Sequence, residues 1–96
     1  MIVTCLGLVV ADIIGPVDEM PAPGTLGVVP HLGLHIGGCA ANTGIALRML
    51  GQEVAVSAKV SSDFLGDFTL GILEEAGIDL SGIVRDAGSP AASMIM

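Results

Sequence analysis

Two small groups of residues in this sequence have the types and spacing for binding chemistry. Asp12 ends an apolar run, and Gly37, Gly38 and Asn42 surround the start of a predicted helix. A carboxylate can accept hydrogen bonds from two adjacent hydroxyls, an amide both donates and accepts, and glycine leaves the backbone bare. Together these groups suit a neutral ligand that carries several hydroxyls.

Each group also has a purely structural interpretation. Asp12 can be the carboxylate of a cap or a turn, and paired glycines can let a helix pack tightly against a neighbouring strand. Residue types alone do not decide between binding and packing. Position favours binding for Asp12, because it is expected at the carboxyl end of the first strand, where ligands of open α/β sheets gather.

Other chemical motifs are incomplete. Gly33 and Gly38 have the spacing of a phosphate-binding loop, but Cys-Ala follows where Lys-Ser or Lys-Thr is required. The glycine pattern of dinucleotide sites and the GxSxG nucleophile motif are also missing. His31 and His35 are expected to be ordinary half-buried histidines rather than metal ligands. We therefore predict no metal site and no catalytic nucleophile from these motifs.

The elements that must position the candidate residues alternate between strand and helix. Apolar runs predict strands within residues 2–11, 26–36, 53–60, 82–90 and 91–96. Helical periodicity predicts helices over about 39–50 and 64–76, each followed by a glycine, with Asp63 as the cap of the second. The buried face of the first helix is predicted along Ala41, Ile45 and Met49, widened by Ala46 and Leu50. That of the second is predicted along Phe64, Phe68, Ile72 and Ala76, with Leu65 and Leu73 beside it. This order is typical of an α/β protein.

Composition limits the function classes. The 96 residues are enough for one small domain, but 52% are hydrophobic and only 14% are charged, as in the interior of a larger α/β protein. A net charge of −7, three basic residues and two aromatic residues argue against binding to nucleic acid or an anionic membrane. No signal peptide or membrane helix is recognisable. We expect a cytoplasmic protein in which Cys5 and Cys39 are buried and reduced.

Residues 37–67, GGCAANTGIALRMLGQEVAVSAKVSSDFLGD, resemble the first signature region of the ribokinase-like, or PfkB, carbohydrate kinases. The shared pattern is a Gly-Gly pair, small residues, an Asn, a helix ending in Leu-Gly, a strand, and a turn ending in Asp-x-x-Gly. LGLVVADII at 6–14 is similar to the family's first strand with its substrate aspartate, and PAPGT at 21–25 to the turn into its lid strands. EEAGIDLSGIV at 74–84 is similar to the helix exit.

This resemblance implies a three-layer α-β-α, Rossmann-like fold with a small β-sheet lid, of which residues 1–96 would be the N-terminal portion and about 17–36 the lid segment. It implies that Asp12, Gly37, Gly38 and Asn42 contact the sugar or nucleoside that accepts the phosphoryl group. In the complete enzyme ATP would be the donor, with Mg²⁺ bridging its phosphates. A homodimer through the lid strands is also plausible by resemblance.

The resemblance further implies that the catalytic aspartate lies in a later Gly-Ala-Gly-Asp motif, which this sequence does not contain. We therefore expect no catalytic residue in the chain, no cofactor bound by it alone, no activity of its own, and an unpaired last strand. The alternative is a non-catalytic α/β module for binding or dimerisation.

Overall fold

The computed structural model describes residues 1–88 and 92–95. In chain order, the described elements are β1 (Ile2–Leu6), β2 (Val10–Ile14), β3 (Gly33–Gly37), α1 (Cys39–Met49), β4 (Glu53–Ser61), α2 (Phe64–Glu75), β5 (Ile83–Asp86) and β6 (Ala92–Ile95). The ends of the strands predicted within 82–90 and 91–96 lie outside the described residues.

A parallel sheet with the order β1-β4-β5 carries the core. Each successive strand of this sheet is added on the same side of the one before it, with α1 preceding β4 and α2 preceding β5. Right-handed crossovers therefore place both helices on the same face. Alternate residues of β4 are buried against the helices, and one cluster joins all three elements. Its buried members are Val9, Ala40, Ala41, Val54, Val56, Ala58, Val60, Leu73 and Ile78.

The predicted parallel α/β architecture is confirmed, and the described residues supply the sheet and the helical layer on one of its faces. The opposite face carries Thr4, Leu6 and Lys59, which are exposed. Within the described ranges, the fold therefore contains two of the three layers that were predicted.

The apolar run at residues 2–11 does not form one strand, so that prediction is wrong. The chain leaves the parallel sheet after Leu6 and joins a second sheet, of order β3-β2-β6, at Val10. Close packing at the break explains the change of direction. A Cβ on Gly7 would lie 2.8 Å from Cys39 Sγ, and Val9 turns into the core with 3% of its surface exposed.

The predicted lid segment, 17–36, contributes only the first residues of β3 to a sheet. Four prolines between residues 15 and 32 help to explain why the run predicted as strand, 26–36, is extended only from Gly33 onward, because proline has no N–H to donate. The second sheet is completed instead by β2 and by β6, which pairs in parallel with β2. The expectation of an unpaired last strand is therefore wrong.

The helix ends agree with the prediction, and the buried faces agree in part: Ala41 and Leu73 are buried, and Ile45 packs against the core, as predicted. Met49 is 83% exposed and Phe64 is 71% exposed. The buried residues that were not predicted are smaller: Ala40 and Gly44 in α1, and Gly66 and Thr69 in α2. Small residues occupy these positions because the helices approach the sheet closely. No helix within the described ranges is both long and apolar enough to cross a membrane.

Candidate functional site

Asp12 lies in the middle of β2, not at the carboxyl end of a strand of the parallel sheet as predicted. In the second sheet it pairs with His35 of antiparallel β3 on one side and with Ser93 of parallel β6 on the other. The split of the first apolar run causes this difference, because Asp12 follows the break and belongs to the other sheet. Its side chain is half-buried.

The carboxylate of Asp12 lies over Gly37. Gly37 pairs with Val10, two residues before Asp12, so the two positions are diagonal neighbours on one face of the sheet. A Cβ built on Gly37 would collide with Asp12 Oδ2 and would lie 3.0 Å from its Cγ. The bare backbone at this position therefore makes room for the carboxylate itself.

Ser93 supplies a hydrogen bond to the same carboxylate. Its Oγ donates to Asp12 Oδ1 at 2.6 Å. The ion pairs that the described ranges form, Lys59–Asp86 and Arg85–Asp67, involve other carboxylates. An ionised carboxylate has about four acceptor positions. Asp12 therefore retains capacity for further donors, such as the hydroxyls of a ligand.

Gly38 adopts a backbone conformation that only glycine readily takes, with φ 96° and ψ 149°. A Cβ there would collide with the carbonyl oxygen of Leu8. That oxygen accepts hydrogen bonds from the backbone N–H groups of Ala40 at 3.1 Å and Ala41 at 3.4 Å. The Leu8 carbonyl thus caps α1, which has no side-chain cap. Two amides that would otherwise be available to an anion are already occupied, which suits a neutral ligand better than a phosphate.

Asn42 lies in the first turn of α1 and is exposed. Its backbone N–H donates to the carbonyl of Gly38 at 2.9 Å, and its side-chain amide makes no hydrogen bond within the described ranges. The structure therefore brings Asp12, Gly37 and Gly38 together through the pairing of β2 and β3. Asn42 stands at the adjoining helix start with its amide unengaged.

His35 lies in β3, and His31 lies just before it. Both are exposed rather than half-buried as predicted. His35 Nε2 lies 2.7 Å from the position that a Cβ on Gly33 would take, so the ring leans over Gly33, away from Gly37. Among the described residues, no group of three or more His, Cys, Asp or Glu could hold a metal ion.

The cysteines are free thiols, but their predicted burial is wrong for Cys39, which is exposed, and Cys5 is only half-buried. Cys39 is the first residue of α1, where the helix start faces Gly7 rather than the core.

The Asp-x-x-Gly motif at the start of α2 has a structural role in this fold. Asp63 caps the helix, as predicted, and accepts hydrogen bonds from Ser61 Oγ at 2.6 Å and from the N–H of Gly66 at 3.1 Å. These two donors lower the pKa of the Asp63 carboxyl. A Cβ on Gly66 would collide with the carbonyl oxygen of Ser61. The motif therefore fixes how α2 leaves β4.

Ser93 was missed by reasoning from the sequence. It is the polar residue of an otherwise apolar strand, Ala92–Ile95, and that isolated hydroxyl was the available signal. Its link to Asp12 depends on strand pairing across 81 positions of sequence, which no local pattern reveals.

Comparison with known proteins shows which family has this combination of fold and motifs. The model of the pfkB family of carbohydrate kinases matches residues 2–96, and the chain belongs to this family. Among characterised relatives, it is 41% identical to the 5-dehydro-2-deoxygluconokinase of Lacticaseibacillus casei over 51 residues, which cover 53% of this chain and 16% of that protein. It is 31% identical to the ketohexokinase of Mus musculus over 81 residues, which cover 84% and 27%.

The fold is also shared with solved structures. The nucleoside kinase of Methanocaldococcus jannaschii, an archaeal member of the ribokinase family, superposes with a TM-score of 0.81 and 27% identity, over 93% of this chain and 30% of that one. The chain thus spans between about a sixth and a third of the length of these relatives.

Proposed function

We propose that the intact protein is a kinase that transfers the γ-phosphoryl group of ATP to a hydroxyl of a sugar or nucleoside, and that residues 1–96 form part of its acceptor site. One observation carries this proposal. The carboxylate of Asp12 is half-buried, has no ion-pair partner within the described ranges, receives one hydrogen bond from Ser93, and lies over bare backbone.

The described residues would bind and orient the acceptor. Asp12 accepts hydrogen bonds from two adjacent hydroxyls, since within residues 1–88 and 92–95 its carboxylate receives one hydrogen bond, from Ser93, and has further acceptor positions. Gly37 leaves room for the Asp12 carboxylate, and we propose that the ring lies against that carboxylate, next to the backbone of Gly37 and Gly38. Asn42 holds a further polar group of the ligand with its free amide. In this arrangement the hydroxyls of the acceptor face the side chains of Asp12 and Asn42, so the hydroxyl that receives the phosphoryl group is held in place.

The donor side of the reaction is assigned to other parts of the protein. When bound, ATP supplies the phosphoryl group and Mg²⁺ offsets its charge. The residues described here do not fit either group, because they contain neither a metal-binding cluster nor a phosphate-binding loop. We further propose that residues 1–96 alone bind neither ATP nor Mg²⁺ and transfer no phosphoryl group.

A homodimer through the lid region is a second element of the proposal. Leu26 and Val28, between β2 and β3, are 98% and 96% exposed, and Leu32 is also exposed. A group of apolar side chains with this exposure is typical of an interaction surface. β3 is an edge strand of the small sheet, so it can pair with another copy.

The proposed function is tested by assaying ADP release from the purified intact gene product, with Mg-ATP and a panel of ketohexoses, aldohexoses, pentoses, keto-acid sugars and nucleosides. We expect turnover that requires one member of this panel and saturates with its concentration. If no acceptor stimulates ADP release from a folded, ATP-binding preparation, the proposal is wrong.

A further inference from the structure

The hydroxyl of Ser93 reaches the proposed site from a strand that is distant in the sequence. Ser93 and Asp12 are paired in the parallel register of β2 and β6, and both side chains lie on the same face of the small sheet. The 2.6 Å distance from Ser93 Oγ to Asp12 Oδ1 is typical of a strong hydrogen bond to a carboxylate.

We propose that Ser93 is a positioning residue for acceptor binding, which acts by fixing the orientation of the Asp12 carboxylate. This inference rests on the proposed function. The χ2 torsion of aspartate is broad and roughly two-fold, so an unrestrained carboxylate samples many orientations. The Ser93 hydrogen bond holds Oδ1 toward β6 and leaves Oδ2 over Gly37, on the side of the helix start.

The consequence is that one carboxylate oxygen is presented to the ligand in a defined direction before binding. A ligand then does not have to immobilise the side chain, and this lowers the cost of association. His35, on the other side of Asp12, does not provide an equivalent restraint, because its ring leans over Gly33. Among the described contacts of the Asp12 side chain, the hydroxyl of Ser93 is the donor that sets its orientation.

The chain contains a matched pair for comparison. Ser61 Oγ donates to Asp63 Oδ1 at the same distance, 2.6 Å, but that pair caps α2. Removing either serine hydroxyl deletes the same kind of hydrogen bond. Only the Ser93 deletion changes a carboxylate in the proposed acceptor site.

The test compares Ser93→Ala, Ser93→Thr and Ser61→Ala in the intact gene product, using the acceptor that the panel identifies. We expect Ser93→Ala to lower kcat/KM for the acceptor by roughly 3- to 20-fold, mainly through KM. Without the Ser93 hydroxyl, the acceptor must itself immobilise the Asp12 carboxylate when it binds. The KM for ATP should be unchanged. Ser93→Thr, which keeps the hydroxyl, should restore acceptor kcat/KM to within about 3-fold of wild type. Ser61→Ala should lower the melting temperature and leave acceptor kinetics near wild type.

A double variant separates positioning from direct contact. If Ser93 acts only through Asp12, then Asp12→Ala/Ser93→Ala should have the same acceptor kcat/KM as Asp12→Ala alone. A further loss of more than about 3-fold would show that Ser93 acts independently of Asp12 and would overturn the inference. A folded Ser93→Ala protein with unchanged acceptor KM would also overturn it. In both cases an active wild type would leave the proposed function intact, whereas a wild type without acceptor-dependent turnover would remove the function and this inference together.

Discussion

The carboxylate of Asp12 occupies the space that a side chain at Gly37 would need. A Cβ on Gly37 would collide with Oδ2 and would lie 3.2 Å from Oδ1. Gly37 is therefore required by the side chain of Asp12 in the neighbouring strand, and Gly38 is required by the backbone of Leu8. Both glycines have a packing reason to be bare, and the contact of a sugar with them stays a prediction.

Gly37→Ala should impair acceptor use more than it impairs folding. The atom that must move is the end of a flexible carboxylate, so the new methyl group displaces Asp12 rather than the backbone. We expect acceptor kcat/KM to fall by roughly 10-fold or more, as for the loss of one hydrogen bond to a charged group.

Gly71→Ala is the matched control for this substitution. Gly71 is exposed in α2, and a Cβ there would meet nothing within 4 Å. That variant should gain roughly 0.5–1 kcal/mol of stability from helix propensity, with acceptor kinetics unchanged. Normal acceptor kinetics in a folded Gly37→Ala protein would show that Asp12 can move without consequence.

Gly38→Ala should instead destabilise the fold. The φ of 96° is strained for any residue with a Cβ, and the methyl group would press on the backbone carbonyl of Leu8, which cannot simply rotate away. Strain of this kind costs roughly 1–3 kcal/mol, and the capping of α1 by the Leu8 carbonyl would also suffer. Urea denaturation should give a lower midpoint than for Gly37→Ala. The opposite ranking of the two variants would contradict this account.

Asp63 should make the stability depend on acidic pH. The hydrogen bonds from Ser61 and from the Gly66 N–H lower the pKa of its carboxyl in the folded state. The unfolded chain then binds the proton at higher pH than the folded one. The contribution of Asp63 is therefore complete above the ordinary aspartate pKa of about 3.9 and is lost as the pH falls through the lower native value.

Asp63→Asn tests this dependence, because asparagine is also a good N-cap but does not titrate. Melting temperatures measured from about pH 6 to pH 2.5 should fall less steeply for Asp63→Asn than for wild type, since the wild-type carboxyl begins to lose its contribution once the pH drops below the ordinary aspartate pKa. If the melting temperatures of the two proteins fall in parallel as the pH is lowered, Asp63 does not contribute to the loss of stability in acid.

The lid region should control self-association. A charge at Val28, which is 96% exposed, should disrupt an apolar contact between two copies without disturbing the core. If the intact protein is a dimer, Val28→Asp should raise its dissociation constant at least about 10-fold in sedimentation equilibrium. A dimer of unchanged affinity would place the interface elsewhere.

Local chemistry made the helix ends predictable, whereas the close packing of the helices on the sheet left the buried faces only partly predictable. Asp63 and the glycines at 51 and 77, with φ of 89° and 81°, signal their roles by residue type alone. Hydrophobic periodicity placed Ala41 correctly on the buried face of α1, but it also selected Met49, which is exposed, and overlooked Gly44, which is buried. A Cβ on Gly44 would already lie 3.0 Å from Val56 Cγ2, so a larger side chain does not fit that face.

The candidate site was predictable in its residue types but not in its geometry. Asp12, Gly37 and Asn42 stand out because their chemistry does not suit an apolar strand or an ordinary helix start. The break at Gly7 that moves Asp12 into a second sheet depends on contact with Cys39, 32 positions away. The contact of Ser93 with Asp12 depends on the register in which β2 and β6 pair. Neither long-range pairing leaves a trace in the local pattern.

Kinetic analysis of Asp12→Ala in the intact gene product shows whether the Asp12 carboxylate binds the acceptor. Loss of hydrogen bonds from acceptor hydroxyls to a charged group, at roughly 1.5–3 kcal/mol each, should lower acceptor kcat/KM by about 10- to 1000-fold. Asn42→Ala should have the same effect more mildly, and the KM for ATP should change little in both. If Asp12 is only a structural carboxylate, the melting temperature should fall while acceptor kinetics stay near wild type. A well-folded Asp12→Ala protein with unchanged acceptor kcat/KM would contradict the account.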